Sequence, residues 1–387
     1  RFLVHGYDTI GNIVVKQRPP KEKPNPPTRI CAILLHQIGD AILCAPTLHS
    51  IQSIHPDAEL TVIAGKGPAD ILRLMLPQAH IIVFDALWQK TVRQLGGYQN
   101  EKREKAHNQE AFISLLREQQ PDVALIFHPD ITANQLVRKA NIPYTIGFAN
   151  AGGGFHLTHP IAQPTNGHQA DRNYAISQTY AAIFGQSVPP ISRPRIIVPS
   201  VDTTLIHHLL AKHSVKPKQA IAIHSIASSP ARNWNDAGWN TVTAALVQQG
   251  FTPLLLGSKQ DKKNNPPFEG SVDLRGEISL SQTAALLSEC TLFIGVNSGP
   301  GHIAAAVDCP IVSIFSSVNS PTRWGPWGDP QKTIILCHPP AGTSIEPELE
   351  LHNLPVGITG NPYTDDITPK MVLQAASMLA PELHATT

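Results

Sequence analysis

Short apolar runs recur along the chain and alternate with longer stretches whose apolar positions fall at helical spacing. In the first half, the runs at 30–35, 60–64, 80–84, 123–127 and 144–148 read as strands, and the stretches at 41–54, 69–75, 101–119, 131–140 and 172–184 as helices. A proline-rich stretch at 187–200 and a helix-like one at 203–213 lead into a second series. Its strands fall at 220–225, 252–256, 272–274, 292–296 and 311–315, and its helices at 237–249, 281–288 and 302–307. Strand–helix alternation of this kind implies parallel sheets with helices on both faces. The predicted class is α/β, with two such sheets in tandem and a cleft between them, and open sheets bind ligands beyond the carboxyl ends of their strands.

The same pattern sets boundaries. Residues 1–28 form an extension whose second part, 16–27, is a basic, proline-rich linker. A first domain is expected over 29–190, a connector over 191–218, a second domain over 219–365, and a helix and tail over 366–387. The helix read at 368–379 can cross back to brace the first domain.

Two strand ends carry candidate chemistry. After the run ending at Val296 the chain reads Asn297-Ser-Gly-Pro-Gly-His302 and then a small-residue segment. Ser298 is placed to cap a helix, Pro300 suits its first turn, and Gly299 and Gly301 let a ligand approach the backbone. A helix start of this type favours an anion such as a diphosphate, to which the His302 ring N–H can add a hydrogen bond. A tight turn that merely packs a helix on a sheet would look the same. After the first strand, His36-Gln-Ile-Gly39-Asp40 opens a second strand–turn–helix unit.

Composition narrows the class. Of 387 residues, 42% are hydrophobic and 15% charged, with a formal charge of +1, so a globular chain is expected and nothing global calls for nucleic acid. No apolar stretch has the length of a membrane span, and the visible N-terminus shows no signal-peptide pattern, which points to the cytoplasm. The five cysteines lack CxxC spacing, and Cys31, Cys44, Cys290 and Cys309, in or beside apolar runs, read as buried thiols, while the eighteen histidines, scattered without a carboxylate or cysteine at ligand spacing, read as solvated or loop residues rather than metal ligands.

Five motifs in order give the chain a resemblance to glycosyltransferase family 9, the ADP-heptose:lipopolysaccharide heptosyltransferases and their relatives, over roughly residues 29 to 380. Ile38-Gly-Asp-Ala-Ile-Leu-Cys-Ala-Pro-Thr-Leu48 resembles the family's Gly-Asp motif, and His168-Gln-Ala-Asp-Arg172 its His-x-x-x-Arg. Arg232-Asn-Trp234 with Trp239 is similar to its Lys-x-Trp segment. Asn297-Ser-Gly-Pro-Gly-His302 resembles its Asp-[Ser/Thr]-Gly-x-x-His, and Arg323-Trp-Gly-Pro-Trp-Gly328 its Trp-Gly-Pro turn.

The resemblance implies the GT-B arrangement of two facing Rossmann-like domains, the acceptor on the first and the donor on the second. It implies an inverting transfer, with no metal and no cofactor, from a nucleotide-diphosphate sugar, ADP-heptose above all, to lipopolysaccharide core or a related surface glycan. Peripheral contact with the cytoplasmic face of the inner membrane goes with it. Asp40 takes the family's general-base position, and a carboxylate at a helix entrance stays ionised at neutral pH, although a plain helix cap would place one there too. The donor residues carried over are Ser228, Ser229, Arg232, Asp261, Asn297, Ser298, Gly299, Gly301 and His302. Arg232 stands where the family usually has Lys, Asp261 where it has an acid for the ribose hydroxyls, and Asn297 where it commonly has Asp. Basic residues Lys90, Arg93, Lys102 and Arg103 match a region that faces the acidic acceptor core, or are simply a solvated face. Trp88 beside them can stack on a sugar or belong to the core. The competing reading is a relative that holds a nucleotide or nucleotide sugar without transfer, motivated by Asn297 and Arg232. A dinucleotide-dependent oxidoreductase is disfavoured, since Gly65-Lys-Gly67 lacks a third glycine and Gly152-Gly-Gly154 opens no evident helix.

Overall fold

A computed structural model describes residues 24–89, 101–316, 319–337, 364 and 366–383, with only the backbone for 101 and 102. The chain divides into two units, Arg1–Ser192 and Arg193–Thr387.

In the first unit the order is β1 (Arg29–Leu34), α1 (Ile38–Ile54), β2 (Glu59–Ala64), α2 (Lys66–Met75), β3 (His80–Val83), α3 (Glu101–Gln119), β4 (Val123–Ile126), α4 (Ile131–Ala140), β5 (Tyr144–Phe148), β6 (His159–Ile161) and α5 (Gln169–Phe184). The strands form one parallel sheet ordered β3-β2-β1-β4-β5-β6. Helices cover it in two groups, α1 packing against α2 and α5, and α3 against α4. Cys31, Ile33, Phe112, Leu116, Ile126 and Leu136 share one buried cluster. Strand order reverses between β1 and β4, so the loops leaving those two strands open at the switch point of a doubly wound sheet.

The second unit repeats the plan: α6 (Ser200–Lys212), β7 (Ala220–His224), α7 (Asp236–Gln248), β8 (Thr252–Leu255), α8 (Lys259–Asn264), β9 (Val272–Asp273), α9 (Leu280–Glu289), β10 (Leu292–Val296), α10 (Gly299–Ala306), β11 (Ile311–Phe315), α11 (Pro321–Trp324), β12 (Thr333–Cys337) and α12 (Pro369–Leu379). Its parallel sheet runs β12-β11-β10-β7-β8-β9, the same winding, with the reversal between β7 and β10.

Two expectations about organisation change. The presumed connector over 191–218 is largely structure of the second unit: Ser281 donates to the Asp202 carboxylate of α6, His207 lies 3.2 Å from Glu289, and the Ile196 amide bonds the Ala306 carbonyl at 3.0 Å. The final helix, expected to reach back to the first domain, packs in the second unit's core. Val372, Leu373 and Ala376 of α12 join Trp239, Leu246, Ile294 and Val312, because its apolar stripe matches the face that α7 and β10–β12 leave to be covered. Most of the N-terminal extension, and residues 338–363 of the second domain, lie outside the described residues. No helix among the described residues is long and apolar enough to cross a membrane.

Candidate active site

The β1–α1 turn is short because a carboxylate holds it. Asp40, in the first turn of α1, accepts the Gln37 backbone N–H through Oδ2 at 3.1 Å. That satisfies an otherwise open amide and places negative charge at the positive helix end. The capping role is therefore real, yet it uses one oxygen only. Oδ1 lies 3.3 Å from His128 Nε2, in the loop that follows β4. The separation is that of an ion pair without the alignment of a strict hydrogen bond. The two side chains are 18% and 12% exposed. Because β1 and β4 are neighbours, this loop and the α1 entrance meet at the switch point.

A third residue completes the cluster. The His36 ring stacks on His128, with centroids 3.8 Å apart and planes inclined by 24°. His36 Nε2 and His128 Nδ1 are buried without a hydrogen-bond partner among the described residues. Burial, helped by the neighbouring His128, pushes the His36 pKa down to about 4 against the opposing pull of Asp40 and Asp130, so the ring is neutral at physiological pH. Burial acts against the Asp40 charge, but the His128 and His36 imidazoles and the Gln37 amide outweigh it and hold the carboxyl well below its usual range. Donor atoms of His36, Asp40 and His128 lie within 4.8 Å of one another, the one group among the described residues close enough to offer an ion three ligands. Both histidines were set aside in the sequence reading as loop residues. Both do lie in loops, but partly covered and beside Asp40, a meeting the sequence reading missed; the signal was available in part, since each follows an apolar run of strand length.

The second switch point gathers the other candidates. His224 ends β7, and Gly295 of β10 pairs beside it. Its ring Nδ1 is 3.0 Å from Ser298 Oγ, which itself donates to the Val296 carbonyl at 3.0 Å. Ser298 was expected to cap α10 through its side chain; its hydroxyl is spent on these contacts and makes no cap. The first turn of α10 also contains no acidic residue. Its positive end is therefore left without side-chain compensation, the condition under which a helix start binds an anion. Gly301 and His302 are buried and Gly299 is half-buried. His224 was likewise missed; burial pushes its pKa down to about 4 despite the opposing charge of Asp261.

Arg232 reaches this turn. Its guanidinium donates to the Asn297 carbonyl at 3.5 Å and to the Ser228 hydroxyl. Ser229 accepts the Arg232 amide through its carbonyl at 3.0 Å, closing a helical turn over residues 230–232. Asn233 fixes the start of the same loop by accepting the Ala227 amide at 2.7 Å. Asn297 is only 6% exposed, and its own amide pairs with the Ile314 carbonyl of β11. Asp261 is engaged locally, accepting the Ser258 amide at 2.6 Å and the Ser258 hydroxyl at 2.7 Å at the start of α8. Ser228, Arg232, Asn297 and Ser298 are thus brought together, with Asp261 acting on His224 through its charge.

The remaining motif residues hold the frame. Trp234 donates to the Ile367 carbonyl at 2.9 Å and meets Trp239 edge-on at 5.1 Å. His168 caps α5, accepting the Ala170 amide, and Arg172 braces the preceding loop through the Thr165 and Gly167 carbonyls. The turn with Gly328 lies on α10, where a Cβ at that glycine would come within 3.1 Å of Ala305. Trp88 packs on Phe112 and donates to Asp130, a core role. Of the acceptor candidates, Arg103 is exposed, while Lys90, Arg93 and the Lys102 side chain lie outside the described residues. Cys31, Cys44, Cys290 and Cys309 are free and buried.

A sequence profile of glycosyltransferase family 9 (heptosyltransferase) matches residues 110–351, more than half of the chain. The chain belongs to glycosyltransferase family 9. It is 24% identical to lipopolysaccharide heptosyltransferase 3 of Escherichia coli over 316 residues, 75% of this chain and 84% of that protein. Among solved structures it resembles E. coli ADP-heptose lps heptosyltransferase II, with a TM-score of 0.69 at 19% identity, covering 92% of this chain and 99% of that one. It also resembles the dodecameric iron-containing heptosyltransferase TibC in complex with ADP-D-beta-D-heptose, with a TM-score of 0.58 at 15% identity, covering 94% and 78%. These likenesses show the fold, that of the GT-B heptosyltransferases with two Rossmann-like sheets.

Proposed function

We propose that this family 9 glycosyltransferase moves a sugar, most simply heptose from ADP-heptose, onto a hydroxyl of lipopolysaccharide core or a related surface glycan, with inversion and without a metal. The reading is supported most by Asp40: a carboxylate at the switch point with one oxygen fixed by its helix and the other against the His128 imidazole. In the reaction the acceptor oxygen attacks the anomeric carbon from the face opposite the diphosphate while its proton passes to Asp40. The bond to the diphosphate breaks, and the growing negative charge is met by the start of α10 and by Arg232. The ADP-linked donor and the lipopolysaccharide acceptor are taken from the names of the relatives. Arg103 and its basic neighbours would meet the acidic acceptor, at the cytoplasmic face of the inner membrane.

The test is transfer from a panel of nucleotide sugars by the unmodified chain and by Asp40→Ala. Turnover should fall by about 10²–10⁴ in the variant, the range for removing a general base, while ADP binding survives because Asp40 lies in the other unit. Equal turnover in the variant would remove Asp40 from the mechanism. Asn297, buried where the family commonly carries Asp, favours one second reading: a relative that holds the nucleotide sugar without transfer. ADP binding with no turnover from any donor would select it.

A further inference from the structure

Beside Asp40, three imidazole nitrogens are buried without a hydrogen-bond partner among the described residues: His36 Nε2, and Nδ1 and Nε2 of His128. Leaving buried polar atoms unpaired is costly, and a bound ion or water is a usual reason for finding them so. Asp40 adds an anionic oxygen to the same cluster, since Oδ2 takes the Gln37 amide while Oδ1 faces His128 Nε2 at 3.3 Å. We propose that His36, Asp40 and His128 form a binding site for a divalent ion of the zinc type, and that the ion stops transfer by occupying Asp40 Oδ1. The binding stands on geometry alone; its effect on transfer rests on the reading of Asp40 as the base.

Distances and donor types both suit such an ion. Two ligands of a tetrahedral ion with bonds of about 2.0–2.1 Å sit roughly 3.3 Å apart, which is the separation of Oδ1 and His128 Nε2. A His36 nitrogen completes a set whose donor atoms lie within 4.8 Å of one another, so small side-chain shifts close it on one ion. The donors come from three places that the sheet holds together: the turn after β1, the first turn of α1 and the loop after β4. Imidazole selects zinc, copper, iron or nickel, whereas magnesium and calcium prefer oxygen ligands throughout. Two imidazoles and one carboxylate also leave a coordination position open, as in zinc sites with three protein ligands. Asp130 is not spare to fill it: Oδ1 accepts the Ala133 amide at 3.0 Å, and Oδ2 accepts Trp88 Nε1 at 3.1 Å and Gln89 Nε2 at 3.2 Å. An ion on Asp40 Oδ1 holds the electron pair that would take the acceptor's proton, so the attack on the anomeric carbon loses its base.

The test is calorimetric titration of the chelator-treated full chain with zinc chloride and with magnesium chloride. It compares the unmodified chain, His36→Gln, His128→Gln and a control in which the exposed His207 and His208 are both changed to Ala. ADP binding and far-ultraviolet circular dichroism check folding. The unmodified chain should hold one zinc ion tightly and no magnesium at that site. Each glutamine variant should weaken zinc binding by at least about 100-fold, more than the loss of an outer partner costs, and the control should not. Zinc should stop transfer by the unmodified chain, and chelation should restore it. Zinc binding that survives in both glutamine variants, or disappears only in the control, means an adventitious ion only and overturns the site. If a glutamine variant does not fold, cobalt(II) bound to the unmodified chain decides: intense tetrahedral absorption supports the site, and the pale spectrum of six-coordinate aqueous cobalt overturns it. Zinc that fills the site while transfer continues overturns Asp40 as the base and leaves the site standing. Absence of zinc binding overturns the site, and Asp40→Ala then judges the base by itself.

Discussion

Acidification should destabilise the second unit through one residue, His224. It is 7% exposed at the end of β7, and burial lowers its pKa from 6.5 to about 4, a pull only partly opposed by Asp261. Ser298 Oγ gives its proton to the Val296 carbonyl, so the contact at Nδ1 is made with the ring nitrogen donating, a neutral ring with its proton on Nδ1. Above pH 6.5 neither the folded nor the unfolded state protonates this ring. Between 6.5 and about 4 the unfolded chain takes up a proton that the folded chain refuses, so stability is lost as pH falls through that window and levels off below it. At about 1.4 kcal/mol per pH unit, the loss amounts to about 3 kcal/mol. The assay is urea unfolding of the unmodified chain and of His224→Gln, followed by tryptophan fluorescence. Trp234, Trp239, Trp324 and Trp327 all belong to the second unit, and only Trp88 to the first. The stability of the unmodified chain relative to the variant should drop by about 3 kcal/mol between pH 7 and pH 4. A difference that stays constant with pH would refute the claim that His224 is buried as the neutral base.

Other consequences can be measured directly. Arg232→Ala should weaken ADP binding by about 1.5–3 kcal/mol, the worth of a charge-assisted hydrogen bond, roughly ten- to hundredfold in Kd; calorimetry giving an unaltered Kd would remove Arg232 from the donor site. Chelation of divalent ions should leave turnover unchanged, and a loss restored by adding an ion back would show that the transfer needs a metal. Gly238→Ala should destabilise the second unit by about 1–3 kcal/mol through overpacking, because a Cβ there would run into the Trp234 indole, 2.7 Å from Cε2. An unshifted urea midpoint would mean that the indole can move aside.

Periodicity revealed most of the fold because most elements have strand or helix length and a clean apolar face. It missed β6, three residues with Pro160 in the middle, and β12, whose five residues are all only half-buried at a sheet edge. It started α10 late, at His302 instead of Gly299, because glycine and proline read as a turn even where they form the first turn of a helix. The meetings of the histidines were hidden for a different reason. His36 and His128 meet only because strand order reverses between β1 and β4, and His224 meets Ser298 only because β7 and β10 are neighbours. Neither adjacency is written in local spacing.

The repeated winding also leaves the two switch points with different charge at their helix starts. Each sheet offers helix starts at its strand ends, and every such start is an anion site by default. At α1 that default is cancelled from within: Asp40 neutralises the helix end and occupies the Gln37 amide, so a phosphate there would meet a carboxylate. At α10 nothing acidic enters the first turn, Ser298 is diverted to His224, and Arg232 adds a cation beside Asn297. One carboxylate present and one cap withheld thus separate a site suited to taking a proton from a site suited to holding a diphosphate. Replacing Ser298 by Asp, which brings a negative charge to the start of α10, should therefore cost donor binding more than any change to the apolar frame around it.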